Sequence, residues 1–238
     1  MYECVCVFTD EHCIAQYLRK TNHCPLCCFM FSMASEKTRI CLFGHSYIWR
    51  LQDFMTKNNE EYGNLGFEGN EVSLLSVGEG GATVRPGPKC IEHFISSVIH
   101  FHPDIIYLHI GENDFRSMHH DHPSLVASRI FDLVRRLTDH VPEIFVSQLL
   151  SFPVAAEQRE SIVQCNNCLK AAFQHTPTVQ FWRHRGGFWN PPRNSLTQGC
   201  RRNLFDRRGV HLSHEGYIAY WRSVRVAVGK GRQRLSSR

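Results

Sequence analysis

The chain has 238 residues, 42% hydrophobic and 21% charged, with a formal net charge of +5. Such a composition belongs to an ordinary globular protein, long enough for one α/β domain with a sizeable core. It excludes collagen-like and low-complexity chains, and no stretch approaches the ~20 apolar residues of a membrane-spanning helix. The opening MYECVCVFTDEHC lacks the basic region and apolar run of a secretory signal. With 11 cysteines, an odd number, the chain reads as a cytoplasmic protein with mostly free thiols.

The charge is uneven. Residues 183–238 carry 13 Lys/Arg against 2 Asp/Glu, and the rest carries 14 against 20. A basic C-terminal quarter attracts phosphates or acidic partners, so nucleic acid at Arg183–Arg238 is one reading of it; a solvated tail is the other.

Residues 1–38 form a Cys-rich extension with six cysteines: Cys4, Cys6, Cys13, Cys24, Cys27 and Cys28. HCIAQYLRKTNHCPLCC resembles the second half of a RING-type zinc finger whose first half is missing. Cys13, Cys24 and Cys27 with His12 or His23 have the ligand chemistry to close one zinc site. The alternative is a weakly ordered remnant.

From residue 39 the pattern alternates. RICLF (39–43), EVSLLSV (71–77), DIIYLHI (104–110), EIFVSQLL (143–150) and TVQFW (178–182) read as buried strands. Between them lie the helical patterns SYIWRLQDFM, CIEHFISSVIHF, SLVASRIFDLVRRLTDH and AAEQRESIVQCNNCLKAAFQ, and SHEGYIAYWRSVRVAV follows the last strand. This alternation predicts an α/β domain over 39–229 with a five-stranded parallel sheet covered on both faces, and a basic tail over 230–238. Ligands of such sheets bind beyond the carboxyl ends of the strands.

Four short motifs fall there. Ser46 follows the first strand and opens a helix, so its hydroxyl faces the cleft and its N–H lies at the positive helix end. Gly81 follows the second strand, where a bare backbone offers another N–H. Asn113 follows the third, and His211 precedes the last helix. One nucleophile, three oxyanion donors and one base on one rim are the parts for acyl transfer through a serine ester.

FGHS, GGAT, GEND and GVHLSHEGY, in this order, resemble the four blocks of the SGNH (GDSL-type) hydrolases over residues 39–228. The last segment is similar to SGNH-like proteins common in animal genomes, some linked to retroelements. The resemblance implies a flavodoxin-like three-layer α/β/α sandwich and hydrolysis of a small-molecule or lipid-like ester without a metal or other cofactor. It implies Ser46 as nucleophile, His211 as base, and the Ser46 amide, the Gly81 amide and the Asn113 side chain as the oxyanion hole. Two positions depart from the pattern. His45 replaces the usual Asp before the serine; neighbours on a strand end point to opposite sides, which argues against His45 as a replacement base. Arg208 stands where the triad acid belongs, and a cation there disfavours the imidazolium formed in turnover. Asp206 is the nearest acid, and a turn in the loop would bring it to Nδ1 of His211. The competing reading is a catalytically silent domain of this fold that binds nucleic acid.

Cys165 and Cys168 of CNNC read as two thiols on a helix face, and the histidines of HFH and HHDH as surface groups. Trp182, Phe188 and Trp189, interleaved with Arg183 and Arg185, have three readings: stacking on nucleotides, walling an acyl pocket, or packing under the loop.

Overall fold

The structure is a computed structural model that describes residues 37–116, 121–150, 156–184, 188 and 202–238. The N-terminal zinc-ligand candidates Cys13, Cys24 and Cys27, with His12 and His23, lie outside these residues, as do Arg185 and Trp189.

Five strands form one parallel sheet: β1 (Thr38–Gly44), β2 (Val72–Gly78), β3 (Ile105–His109), β4 (Glu143–Ser147) and β5 (Val179–Trp182). Their order is β2-β1-β3-β4-β5, the doubly wound order of flavodoxin-like proteins. The pairing sets Gly44 beside both Gly78 and His109, and Ser147 beside Trp182, so the carboxyl ends of all five strands lie along one edge. The three central strands are buried on both faces, which explains the unbroken apolar runs Ile40–Phe43, Ile105–Leu108 and Ile144–Val146.

The helices are α1 (Ser46–Lys57), α2 (Asn59–Tyr62), α3 (Ile95–His100), α4 (Pro123–Thr138), α5 (Ala156–Ala172) and α6 (His214–Ser236). α1 and α6 pack together on one face of the sheet, and α4 and α5 on the other, giving three layers. α1 buries Tyr47, Ile48, Leu51, Phe54 and Met55, a stripe at helical spacing. α4 starts with Pro123 and is capped by the His122 side chain, which accepts from the Ser124 amide. Ser213 caps α6 through the Gly216 amide, 3.1 Å away.

Basic residues 230–238, expected as a tail, instead continue α6 to Ser236. Their cations meet partners on the sheet side. Arg232 reaches Glu71 and lies over Phe67, Lys230 lies over Trp182, and Arg234 and Arg238 both reach the buried carboxylate of Glu143. The helix extends because these contacts hold each turn in place. No helix among the described residues is long and apolar enough to cross a membrane.

Gly44 closes β1 at the crossover point. Its φ is +156°, and a Cβ there would sit 2.0 Å from the His109 carbonyl oxygen. The neighbour is backbone of the central strand and has nowhere to move. Gly44→Ala should therefore cost about 3 kcal/mol or more, or prevent folding. Gly80, where an added Cβ meets nothing within 4 Å, is the control, and Gly80→Ala should stay within about 0.5 kcal/mol in urea denaturation.

Candidate active site

Hydrogen bonds draw the strand ends into one rim. The His45 amide donates to the His109 carbonyl at 3.1 Å, joining β1 to β3, and the Glu79 amide donates to the Gly44 carbonyl at 3.1 Å, joining β2 to β1. Asn113 donates its side-chain N–H to the Ala82 carbonyl at 2.9 Å, which links the Asn turn to the Gly turn. That leaves the second hydrogen of the Asn113 amide group for another acceptor. Gly81 has φ +77°, and an added Cβ would meet nothing within 4 Å, so its outer side is open. Ser46 is the first residue of α1, where the amide has no acceptor inside the helix. Tyr47 and Arg116 both donate to the Val210 carbonyl, at 3.2 and 3.3 Å, and dock the His211 loop against this rim. The four segments that carry Ser46, Gly81, Asn113 and His211 are thus tied together by named hydrogen bonds.

The acid is another matter. Asp206 Oδ1 accepts from the Val210 amide at 3.2 Å and the His211 amide at 3.5 Å, while its own amide donates to the His211 carbonyl at 2.7 Å. Its carboxylate shapes the turn. Nδ1 of His211 is buried and has no hydrogen-bond partner among the described residues. Burial and the nearby Arg50 and Arg116 lower the His211 pKa, with Asp206 opposing them. Arg208 is exposed in the turn.

Beneath the rim lies a polar network that sequence reasoning missed. Glu112 is fully buried. Its Oε2 accepts from His45 Nε2 at 2.7 Å, and its Oε1 from His109 Nε2 at 2.6 Å and from the Leu150 amide at 2.8 Å. Burial alone would raise the carboxyl pKa; His109 and His45 outweigh it and hold Glu112 well below the usual carboxylate range. His109 Nδ1 meets the Tyr220 hydroxyl at 2.6 Å and Ser147 Oγ at 3.1 Å. Ser147 Oγ lies 2.9 Å from His184 Nε2, and His184 Nδ1 lies 2.8 Å from Ser223 Oγ. Ser147 and His184 form a second serine–histidine pair. Ser147 is 1% exposed, ends a strand rather than opening a helix, and is surrounded by Tyr107, His109 and the Gln148 carbonyl. Among the described residues its hydroxyl is closed in by these groups. The sequence did carry a signal for this network: His109 inside the apolar run DIIYLHI, and Glu112 in the turn that follows.

Among the described residues, His45, His109 and Glu112 are the one group with metal-ligand chemistry at close range. Their nitrogen–oxygen separations of 2.6 and 2.7 Å are those of charge-assisted hydrogen bonds. Ligands around a tetrahedral ion at about 2.0–2.2 Å sit about 3.3 Å apart. At 2.6 and 2.7 Å each of these imidazole nitrogens is hydrogen-bonded to a Glu112 oxygen. Cys165 is buried and Cys168 half-buried, both as free thiols, and His100 and His102 are exposed. His122 caps α4, and Asp121 pairs with Arg85 and Arg129. Trp182 donates to Ser223 Oγ, and Phe188 is buried against His184, Phe205 and Tyr220.

Comparison with known proteins finds no matching family model and no matching curated protein. Solved structures do match. A candidate acylhydrolase from Bacteroides fragilis superposes with a TM-score of 0.63 at 18% identity, covering 82% of this chain and 88% of that one. A GDSL-like lipase from Bacteroides thetaiotaomicron gives 0.59 at 14% identity, with 81% and 88% covered. An acetylxylan esterase from Geobacillus stearothermophilus, solved as a catalytic mutant, gives 0.60 at 16% identity, with 81% and 94% covered. At these identities the likeness establishes the fold, the three-layer α/β/α sandwich expected from the alternating pattern.

Burial lowers the His184 pKa to about 3 from 6.5, with His109 adding to the shift and Glu112 opposing it. Tyr107, Ser147 and Ser223 are its other polar neighbours. Between these two values the unfolded chain binds a proton that the folded chain refuses, so this contribution is complete above pH 6.5 and is lost as pH falls toward 3. Asp114, raised by burial to about 6, acts in the opposite sense, so the comparison must be with a variant. Relative to His184→Gln, the parent should lose stability at up to about 1.4 kcal/mol per pH unit across that window, read from urea midpoints.

Proposed function

We propose that this chain is a serine esterase of the SGNH type acting on a small-molecule or lipid-like carboxylic ester. Ser46 is the nucleophile and His211 the rim base. The amides of Ser46 and Gly81 and the spare N–H of Asn113 receive the oxyanion of the tetrahedral intermediate. The observation that carries this reading is the Asn113–Ala82 hydrogen bond, which sets the Asn and Gly turns side by side on the rim where Ser46 opens α1. The acylhydrolases and esterases that share the fold support the same class of reaction.

Nucleic-acid binding through the basic C-terminal quarter has less support. Arg225, Lys230, Arg232, Arg234 and Arg238 are engaged by rings, carbonyls and carboxylates of the same chain.

A fluorophosphonate probe should label the protein at Ser46, and a short-chain aryl ester should be hydrolysed. Ser46→Ala should abolish both, and labelling that persists in that variant, located by peptide mass spectrometry, would remove Ser46 from the role.

Arg208→Asp places an anion three residues before His211, whose Nδ1 lacks a partner among the described residues. It should raise kcat/KM for the aryl ester about tenfold, since a one-unit gain in imidazolium stability is worth about 1.4 kcal/mol. An unchanged or lower rate would mean that the loop does not present this position to the imidazole.

A further inference from the structure

The hydroxyl of Ser46 has one hydrogen-bond partner among the described residues, and it is not His211. It is Nδ1 of the preceding residue, His45, at 3.5 Å. The partners of His45 define its tautomer. The Tyr47 amide donates to Nδ1 at 3.3 Å, so Nδ1 carries a lone pair and Nε2 carries the hydrogen. Nε2–H then donates to Glu112 at 2.7 Å. Glu112 in turn is fixed by His109 and by the Leu150 amide, at 2.6 and 2.8 Å. Nδ1 has one lone pair, shared by the Tyr47 amide at 3.3 Å and the Ser46 hydroxyl at 3.5 Å, so a proton arriving from Ser46 displaces the Tyr47 contact. With that exchange the order carboxylate, imidazole, serine hydroxyl is that of an acid–base–nucleophile triad. His45 itself is 2% exposed and Ser46 9%, so the imidazole is the more deeply buried of the two.

We infer that Ser46 gives its proton to His45, and that the His45–Glu112 pair supplies the carboxylate-backed base that the His211 loop lacks. This rests on the reading of Ser46 as nucleophile. The 3.5 Å separation is long for a hydrogen bond. Catalytic hydrogen bonds in free enzymes are often long and shorten when substrate arrives. Burial, with His109 and Arg116, lowers the His45 pKa, and Glu112, whose carboxylate already lies on the far nitrogen, opposes them and so favours the imidazolium as it forms. The sequence argument that neighbours at a strand end diverge fails here for a local reason. His45 is the N-cap of α1, and its side chain turns back over the first turn toward the Tyr47 amide, past Ser46.

The proton count closes. As Oγ bonds to the acyl carbon, its proton moves to His45 Nδ1. When the intermediate collapses, the carbon–alcohol oxygen bond breaks, and His211 takes a proton from the water it holds and passes it to the alcohol oxygen. The hydroxide that remains attacks the acyl carbon. As the carbon–Oγ bond breaks, the Nδ1 proton returns to Oγ. One ester and one water give one acid and one alcohol, and Glu112 stays a carboxylate throughout.

Fluorophosphonate labelling isolates the first transfer, because fluoride leaves without a proton. His45→Gln should slow labelling of Ser46 about 100-fold or more, the range of general-base catalysis. His211→Gln should slow it at least tenfold less than His45→Gln does, while still depressing ester turnover. A His211→Gln loss in labelling equal to or greater than that of His45→Gln would overturn the inference and leave Ser46 as nucleophile. No labelling of Ser46 in the parent chain would instead overturn the esterase reading, and this inference with it. Should His45→Gln fail to fold, the unaltered chain with ¹⁵N-histidine answers the same question. In a phenylboronic acid adduct at Ser46, the imidazole in through-space contact with the Tyr47 amide should gain a proton at Nδ1. A neutral His45 beside a protonated His211 would overturn the inference.

Discussion

A single buried carboxylate organises the carboxyl-end edge of this sheet. Glu112 accepts three N–H groups, from His45 after β1, from His109 at the end of β3 and from the Leu150 amide after β4. A buried charge left without partners costs several kcal/mol, so these donors are required wherever Glu112 is ionised. The requirement sets the relative positions of three strand ends. It also sets the entry of α1, since His45 is at once a partner of Glu112 and the cap of that helix. The positions of Ser46 and Asn113 follow, because each adjoins a member of this set in sequence.

The sheet was legible in the chain because its cause is local. Runs such as ICLF and IIYLH are apolar on both faces, and the amphipathic segments between them have a single buried stripe, so alternation alone implies a parallel sheet in three layers. The rim was legible because ligands of such sheets gather beyond the strand ends. The network under it was not, because its bonds join residues up to 111 positions apart, as between His109 and Tyr220. No spacing rule relates them. The opposite orientations expected for His45 and Ser46 did not anticipate a capping imidazole that curls over its own helix. The extent of α6 was misjudged for a related reason. Residues 230–238 look like a tail when charge is read along the sequence, but their partners Glu71, Glu143 and Trp182 lie far upstream.

The loop before α6 illustrates how one acid can be present and unavailable. Asp206 lies close enough to feel His211 electrostatically, yet its oxygen accepts two backbone amides of the turn. A turn that tightens around a carboxylate aims it at the backbone, and here neither oxygen comes within hydrogen-bond reach of Nδ1 of His211. The result is a histidine on the rim with a buried nitrogen that has no partner among the described residues and, next to Ser46 in the chain, a histidine with Glu112 on one nitrogen and the Tyr47 amide and Ser46 hydroxyl on the other.

Glu143 opens β4 in full burial, and the cations that meet its carboxylate are Arg234 and Arg238, more than ninety residues later. A chain emerging from the ribosome makes the acid long before the bases. Until the final turn of α6 is released, β4 carries a carboxylate that cannot enter the sheet charged without large cost. The last turn of α6 thus belongs to the sheet in an energetic sense: without Arg234 and Arg238 the buried start of β4 would hold a carboxylate stripped of the cations that meet it.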